Sequence, residues 1–127
     1  MNNAVKNIVG ASLKSFVTGD GFTIHAESGE PFTGSGYLVG GIIPSLTVSA
    51  DLAVGKLIEK VAEWYEGAEA LNRHFGLVGG WVSEGVLHLD VVSVMKDEYA
   101  AKLLGRLWDQ LAIGKLDGDE YTELALV

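Results

Sequence analysis

The clearest pattern of apolar and polar positions runs over residues 77–116. Leu77-Val78-Gly79-Gly80-Trp81-Val82-Ser83 and Val86-Leu87-His88-Leu89-Asp90-Val91-Val92 flank Glu84-Gly85. Two β-rich runs about a short turn with glycine predict a hairpin. A two-residue loop sets Trp81 opposite His88 and Gly79 opposite Asp90. Side chains alternate across a strand, so Val78, Val82, Leu87, Leu89 and Val91 then form a core face. Trp81, His88, Asp90 and Val92 lie on the other face. A three-residue loop would slip this register and turn Trp81 inward; the two-residue loop is the reading adopted.

Asp97 then offers an N-cap, with Glu98 suited to the positive end of a helix dipole. Apolar residues recur at Tyr99, Leu103, Leu107 and Leu111, and at Ala100, Leu104 and Trp108. These two adjacent rows predict an amphipathic helix. Gly105 inside it costs about 1 kcal/mol against Ala, which points to close packing there. Ala112-Ile113-Gly114-Lys115-Leu116 reads as a strand, Asp117-Gly118-Asp119-Glu120 as a turn, and residues 121–126 as a returning strand. The strand, helix and strand fit either a right-handed crossover between parallel strands or an antiparallel placement.

Upstream, Val5, Ile8, Val9, Ser12, Leu13 and Phe16 have helical spacing. Residues 1–20 are expected to form a helical arm that packs on the body or on a second copy, or that serves a partner. Phe22, Ile24 and Ala26 alternate with Thr23, His25 and Glu27, a half-buried strand. Tyr37-Leu38-Val39 is expected to return beside it as a hairpin. Gly34, Gly36, Gly40 and Gly41 suggest a bend, since they lack the Gly-Lys-Ser/Thr ending of a phosphate loop. Ser49 is the expected N-cap of the next helix, with Asp51 in its first turn. Leu57, Ile58, Val61, Ala62, Tyr65, Ala68 and Leu71 make the apolar stripe of that helix, with Glu59, Lys60, Glu63 and Glu66 on the wet face. Gly67 ends or bends it, and Gly76 marks the last stop.

Composition narrows the picture. At 127 residues and 48% hydrophobic content the chain suits one domain with a real core, spanning residues 1–127. With no Cys, there is no disulfide, thiolate zinc site or Cys nucleophile. Ile8-Val9-Gly10-Ala11 is too short for a signal segment, and no run approaches the roughly 20 apolar residues that span a bilayer. A membrane partner is therefore not expected. Net charge is −8, from 17 acidic and 9 basic residues, which argues against direct contact with nucleic-acid phosphates. The charge serves solubility or, in the sharper reading, mimics DNA toward a nucleic-acid-binding protein.

Gly79-Gly80-Trp81-Val82, Gly85-Val86-Leu87-His88-Leu89-Asp90-Val91, Leu104-Gly105-Arg106 and Gln110-Leu111-Ala112-Ile113 form a recognisable series. So do Gly21-Phe22-Thr23-Ile24-His25 and Gly36-Tyr37-Leu38-Val39. The chain resembles small uncharacterised proteins of actinobacteria and their phages, over about two thirds of its length. The resemblance implies a mobile-element origin and the cytoplasm of a bacterial host, and it implies no activity.

Candidate chemistry is sparse. His25, His74 and His88 with Asp90 could supply nitrogen and oxygen metal ligands, but no spacing brings them together, so no metal or cofactor is expected. Ser83, His88 and Asp90 are near in sequence but lack a nucleophile elbow. Asp117, Asp119 and Glu120 lack the spacing of a calcium loop. Trp81, His88 and Asp90, with Trp108, are the group with most to say. Beside Gly79 and Gly80 they could form a contact surface. Covered by the first helix, Trp81 would instead be core, and the usual burial of large aromatics favours that. Glu59, Glu63, Glu66 and Glu69 drift slowly round one helix face and form a second candidate surface, for a basic partner. Asp117, Asp119, Glu120 and Glu123 form another acidic cluster.

The sequence thus predicts an α+β domain, with two principal helices packed on one face of a mainly antiparallel sheet of hairpins. Its leading functional reading is a non-catalytic interaction protein that binds a host or phage protein. The alternatives are a self-associating virion or assembly component, and an enzyme with His88 and Asp90 as an acid–base pair.

Overall fold

The computed structural model of the chain describes residues 2–67, 76–118 and 120–126. The predicted Ala68, Glu69, Leu71, His74 and Asp119 positions lie outside these. Ten elements follow in order: α1 Asn3–Thr18, β1 Phe22–His25, β2 Gly36–Val39, β3 Leu46–Ser49, α2 Val54–Gly67, β4 Leu77–Ser83, β5 Val86–Met95, α3 Glu98–Leu107, β6 Ala112–Asp117 and β7 Glu120–Ala125. The α+β class is as expected from the sequence.

The central hairpin has the two-residue loop. Trp81 pairs with His88 and Gly79 with Asp90. The turn needs positive φ at both loop positions, and Glu84 (52°) and Gly85 (76°) supply it. β1 lies outside β4, with Phe22 opposite Gly80. On its other flank β5 is shared. Its first half pairs with β3, Leu46 opposite Leu89, and its end pairs with β2, Tyr37 opposite Met95. β2 continues to β6, and β6 to β7. Every pairing is antiparallel. β5 and β6 both run antiparallel to β2, which lies between them, so the strand–helix–strand unit joins two parallel strands that do not pair.

Two expectations are corrected here. β1 and β2 do not form a hairpin. Only the isolated bridge of Ile24 with Pro31 turns the chain back on β1, and β2 joins β5 and β6 instead. Ser49 does not cap a helix. Leu46-Thr47-Val48-Ser49 alternates as a strand, with Val48 inward. The Ser49 hydroxyl accepts from the Asp51 amide at 3.3 Å, capping a turn, and α2 starts only at Val54.

The register sets the core. Leu87, Leu89 and Val91 point to one face of β5, as predicted. There Val78, Ile24 and Val48 meet Val5, Ile8 and Val9 of α1 and Leu57, Val61 and Tyr65 of α2. Asn2 caps α1, its side chain accepting from the Ala4 amide at 2.7 Å. Asn7 donates to the Ala26 and Glu27 carbonyls and ties α1 to the end of β1. The N-terminal segment is thus a packed helix of this domain. α3 sits on the same face further along, where Ala101 meets Val39, Ile113 and Leu126. The opposite face has a cluster of its own, Leu38, Leu77 and Val92 under Phe32, because the curled sheet folds the 26–35 loop across it.

The glycines of two helices separate by what surrounds them. A Cβ on Gly105 would fall 2.7 Å from Leu126 Cδ1 and 2.9 Å from Ile113 Cγ2, whereas one on Gly10 would meet nothing. Gly105→Ala therefore overpacks the α3 core and lowers stability by about 1–2 kcal/mol, even after its gain in helix propensity. Gly10→Ala raises stability by up to about 1 kcal/mol. Urea unfolding of the two variants checks both signs.

Candidate interaction surface

The outer face of the hairpin carries the residues that the sequence singled out. Trp81 and His88 are a directly opposed cross-strand pair, and their rings stack at 4.1 Å between centroids and 12° between planes. Trp81 is 49% exposed. The expectation that it belongs to the core fails because α1 packs against the other face of β4 and cannot cover it. Asp90 follows on the same face and is engaged elsewhere. The Ser45 hydroxyl donates to its Oδ1 in a short hydrogen bond, and Gly40 lies against its Cβ. Glycine at position 40 thus serves close approach to a strand. His88 and Asp90 share a face without sharing a proton path, since one is stacked on an indole and the other holds a serine.

Two shallow depressions lie among the described residues, and neither touches Trp81. One, of about 190 Å³, lies between Tyr37, Lys96 and Lys115 at the end of β2 and β6. The other, of about 560 Å³, lies between Pro44, Lys60 and Trp64, where the Trp64 indole donates to the Pro44 carbonyl at 3.1 Å. Neither is lined by His88 or Asp90. Among the described residues no three His, Asp or Glu side chains gather as a metal-binding group.

Glu59, Glu63 and Glu66 are exposed on one face of α2. Lys56 pairs with Glu59 at 3.1 Å, and the exposed Lys60 lies between Glu59 and Glu63 in the chain. The face is therefore mixed in charge, and an exposed pair of this kind contributes little to stability. At the β6–β7 end, the Tyr121 ring lies over Gly114. Partial burial there pushes the Tyr121 hydroxyl above its ordinary 10.0, and the negative charge of Glu123 adds to the shift.

The apolar rows that predicted the amphipathic α3 are covered only in part. On α3, Ala101 and Gly105 are buried, and Leu104 and Trp108 are half-buried against the sheet. Tyr99, Leu103 and Leu107 are 74%, 55% and 74% exposed, and Leu111 just beyond the helix is 73% exposed. At about 100° per residue, Leu103 stands roughly 200° from Ala101, so it points away from the sheet. The signal was present in the breadth of the pattern. Two apolar rows plus Ala101 and Gly105 make an arc wider than one sheet can cover. Asp97 caps the helix through a 2.8 Å bond from the Ala100 amide, and Glu98 binds Lys102 at 3.4 Å and the Tyr37 hydroxyl at 3.3 Å. Arg106 at the edge of the outward row has no hydrogen bond or ion pair among the described residues.

Half exposure gives Trp81 a small share in stability. Trp81→Ala costs about 1 kcal/mol, the worth of one aromatic stack, against about 3–5 kcal/mol for a core aromatic; urea denaturation measures the difference. For Tyr121, the raised value means that the folded state holds its proton longer than the unfolded chain. Its contribution is intact below pH 10.0 and is lost as pH rises through the higher folded value. Ultraviolet titration places the late phenolate, and Glu123→Gln moves it part of the way back down.

No family model, no curated protein and no solved structure matches the chain, so this surface is read from its own geometry.

Proposed function

We propose that this chain is a small acidic, non-catalytic interaction module that docks another protein through the outward row of α3. The observation that carries the reading is the exposure of Tyr99, Leu103 and Leu107, large apolar side chains four residues apart along α3, with Leu111 exposed just beyond the helix. Contiguous apolar surface on a small domain marks a docking site more often than ornament. Aromatic and aliphatic anchors of this kind supply most of the energy of an interface. A net charge of −8 keeps the free protein in solution despite that surface.

The Trp81–His88 pair is a smaller contact point on the opposite face of the sheet. Its position leaves it free to touch a second partner or to remain solvated. An acid–base role for His88 and Asp90 is disfavoured by their separate engagements, His88 with Trp81 and Asp90 with Ser45. Excess acidity disfavours nucleic acid as the partner. The resemblance to actinobacterial and phage proteins supports a mobile-element origin, a host or phage protein as partner, and the host cytoplasm as the setting. The runner-up, an assembly component that self-associates, would use the same row.

The test is affinity capture from an actinobacterial lysate, with the bound proteins identified by mass spectrometry. Leu103→Lys and Leu107→Lys each reduce capture about tenfold or more, since a central anchor is worth at least about 2 kcal/mol. Both variants unfold within about 0.5 kcal/mol of the parent, because the altered side chains are at the surface. Trp81→Ala captures normally. Equal capture by all variants would overturn the reading.

A further inference from the structure

We infer that the occupant of the α3 row is a second copy of this chain, docked by antiparallel pairing of the two α3 helices about a two-fold axis at Leu103. The inference rests on the reading of that row as a docking face and takes the self-associating alternative for its occupant, in place of a host or phage protein. A two-fold interface must be complementary to its own reverse. Reversed about Leu103, the apolar row sets Leu103 against Leu103 of the second copy and Tyr99 against Leu107 of the second copy. Large apolar groups meet at every step.

The charges beside the row obey the same symmetry. Glu98, Lys102 and Arg106 step by four residues along one edge of it. Antiparallel pairing brings that edge against its own reverse, so Glu98 meets Arg106 of the second copy, twice per dimer, while the two Lys102 side chains, each held at 3.4 Å by Glu98 of its own chain, meet near the axis. This supplies the acidic partner that Arg106 lacks among the described residues of its own chain. Parallel pairing about a two-fold axis would set the Glu98–Arg106 edge against the apolar Ala100–Leu104 edge of the second copy, where Arg106 finds no acid. Antiparallel helix dipoles favour the same choice. On the other edge, Ala100 and Leu104 are only half-covered by their own chain and widen the apolar strip.

Net charge also permits contact at this face. A chain at −8 repels its copy over most of its surface. Residues 96–110 carry no acidic excess, with Lys96, Lys102 and Arg106 against Asp97, Glu98 and Asp109, a balance of three and three. Two copies meet there without facing net like charge. One short helix per copy buries less than the roughly 800 Å² per partner of a standard interface, which puts the dimer in the weak class.

Sedimentation equilibrium of the full chain, from micromolar to about millimolar concentration, tests this. The parent's mass rises toward twice that of one chain. Leu103→Lys remains monomeric. Arg106→Glu and Glu98→Lys, each shown to be folded by circular dichroism, dimerise about tenfold more weakly or worse. An equimolar mixture of those two dimerises better than either alone, because it restores opposite charges at both rim contacts. A strictly monomeric parent at the highest concentration overturns the inference, as does a mixture no better than its components. If the parent is monomeric while Leu103→Lys still loses its captured protein, the second copy is ruled out and the docking face stands. If the parent is monomeric and capture is also unchanged, both fall.

Discussion

β5 has ten residues and three partners. β4 takes one flank from Val86 to Val92, while β3 and β2 divide the other. Backbone groups in a sheet interior must be paired, so the place where β3 ends and β2 begins determines how the chain between them runs. That join lies at Asp90, where Gly40 passes close to the strand and Ser45 donates to the carboxylate. The inner face of β5 then serves two helix layers in turn, α1 and α2 over Leu87 and Leu89, and α3 near Met95. Ser93 falls between the layers, buried, with no hydrogen-bond partner for its hydroxyl among the described residues. A polar atom left this way costs free energy, and it marks the seam between the two halves of the core.

Local patterns were legible and long-range pairings were not. The β4–β5 register followed from Glu84-Gly85, because a two-residue turn and a period of two determine every side chain at once. Asp97 as a cap and Gly105 as a close approach followed from the chemistry of single residues. The partners of β2 were misread because nothing in Gly36-Tyr37-Leu38-Val39 says which strand lies beside it. Nearness in sequence suggested β1, but β5 and β6 won. Leu46-Thr47-Val48-Ser49 was too short to outweigh the capping signal of Ser49. Trp81 was assigned to the core on the habits of tryptophan, and only the side taken by α1 decides the matter.

The α3 helix inverts the usual arrangement. Its inward contact is made by small residues, Ala101 and Gly105, which let its backbone sit close to Ile113 and Leu126. Of its large residues, Tyr99, Leu103 and Leu107 face outward, while Leu104 leans on the sheet. An amphipathic pattern records how many apolar positions a helix has, but not which of them its own chain covers. The exposed apolar row was therefore present in the sequence as a stripe of excess width. Trp81 and His88 carry a lesser excess on the opposite face, where stacking satisfies part of it.

The order of strands has a kinetic consequence. β4–β5 and β6–β7 are the two hairpins joined by tight turns. They need only short loops to close, and a hairpin of that kind forms in about 1–10 μs. β1 must instead find β4 across the whole of β2, β3 and α2, and β2 must enter between β5 and β6. Closing such long loops precedes any gain from the contacts they bring, so the rate of folding is governed by the insertion of β2 rather than by the hairpins. Until that strand arrives, the facing edges of β5 and β6 remain open. On the nascent chain the interval is unavoidable, because β2 leaves the ribosome before either of the strands that will hold it.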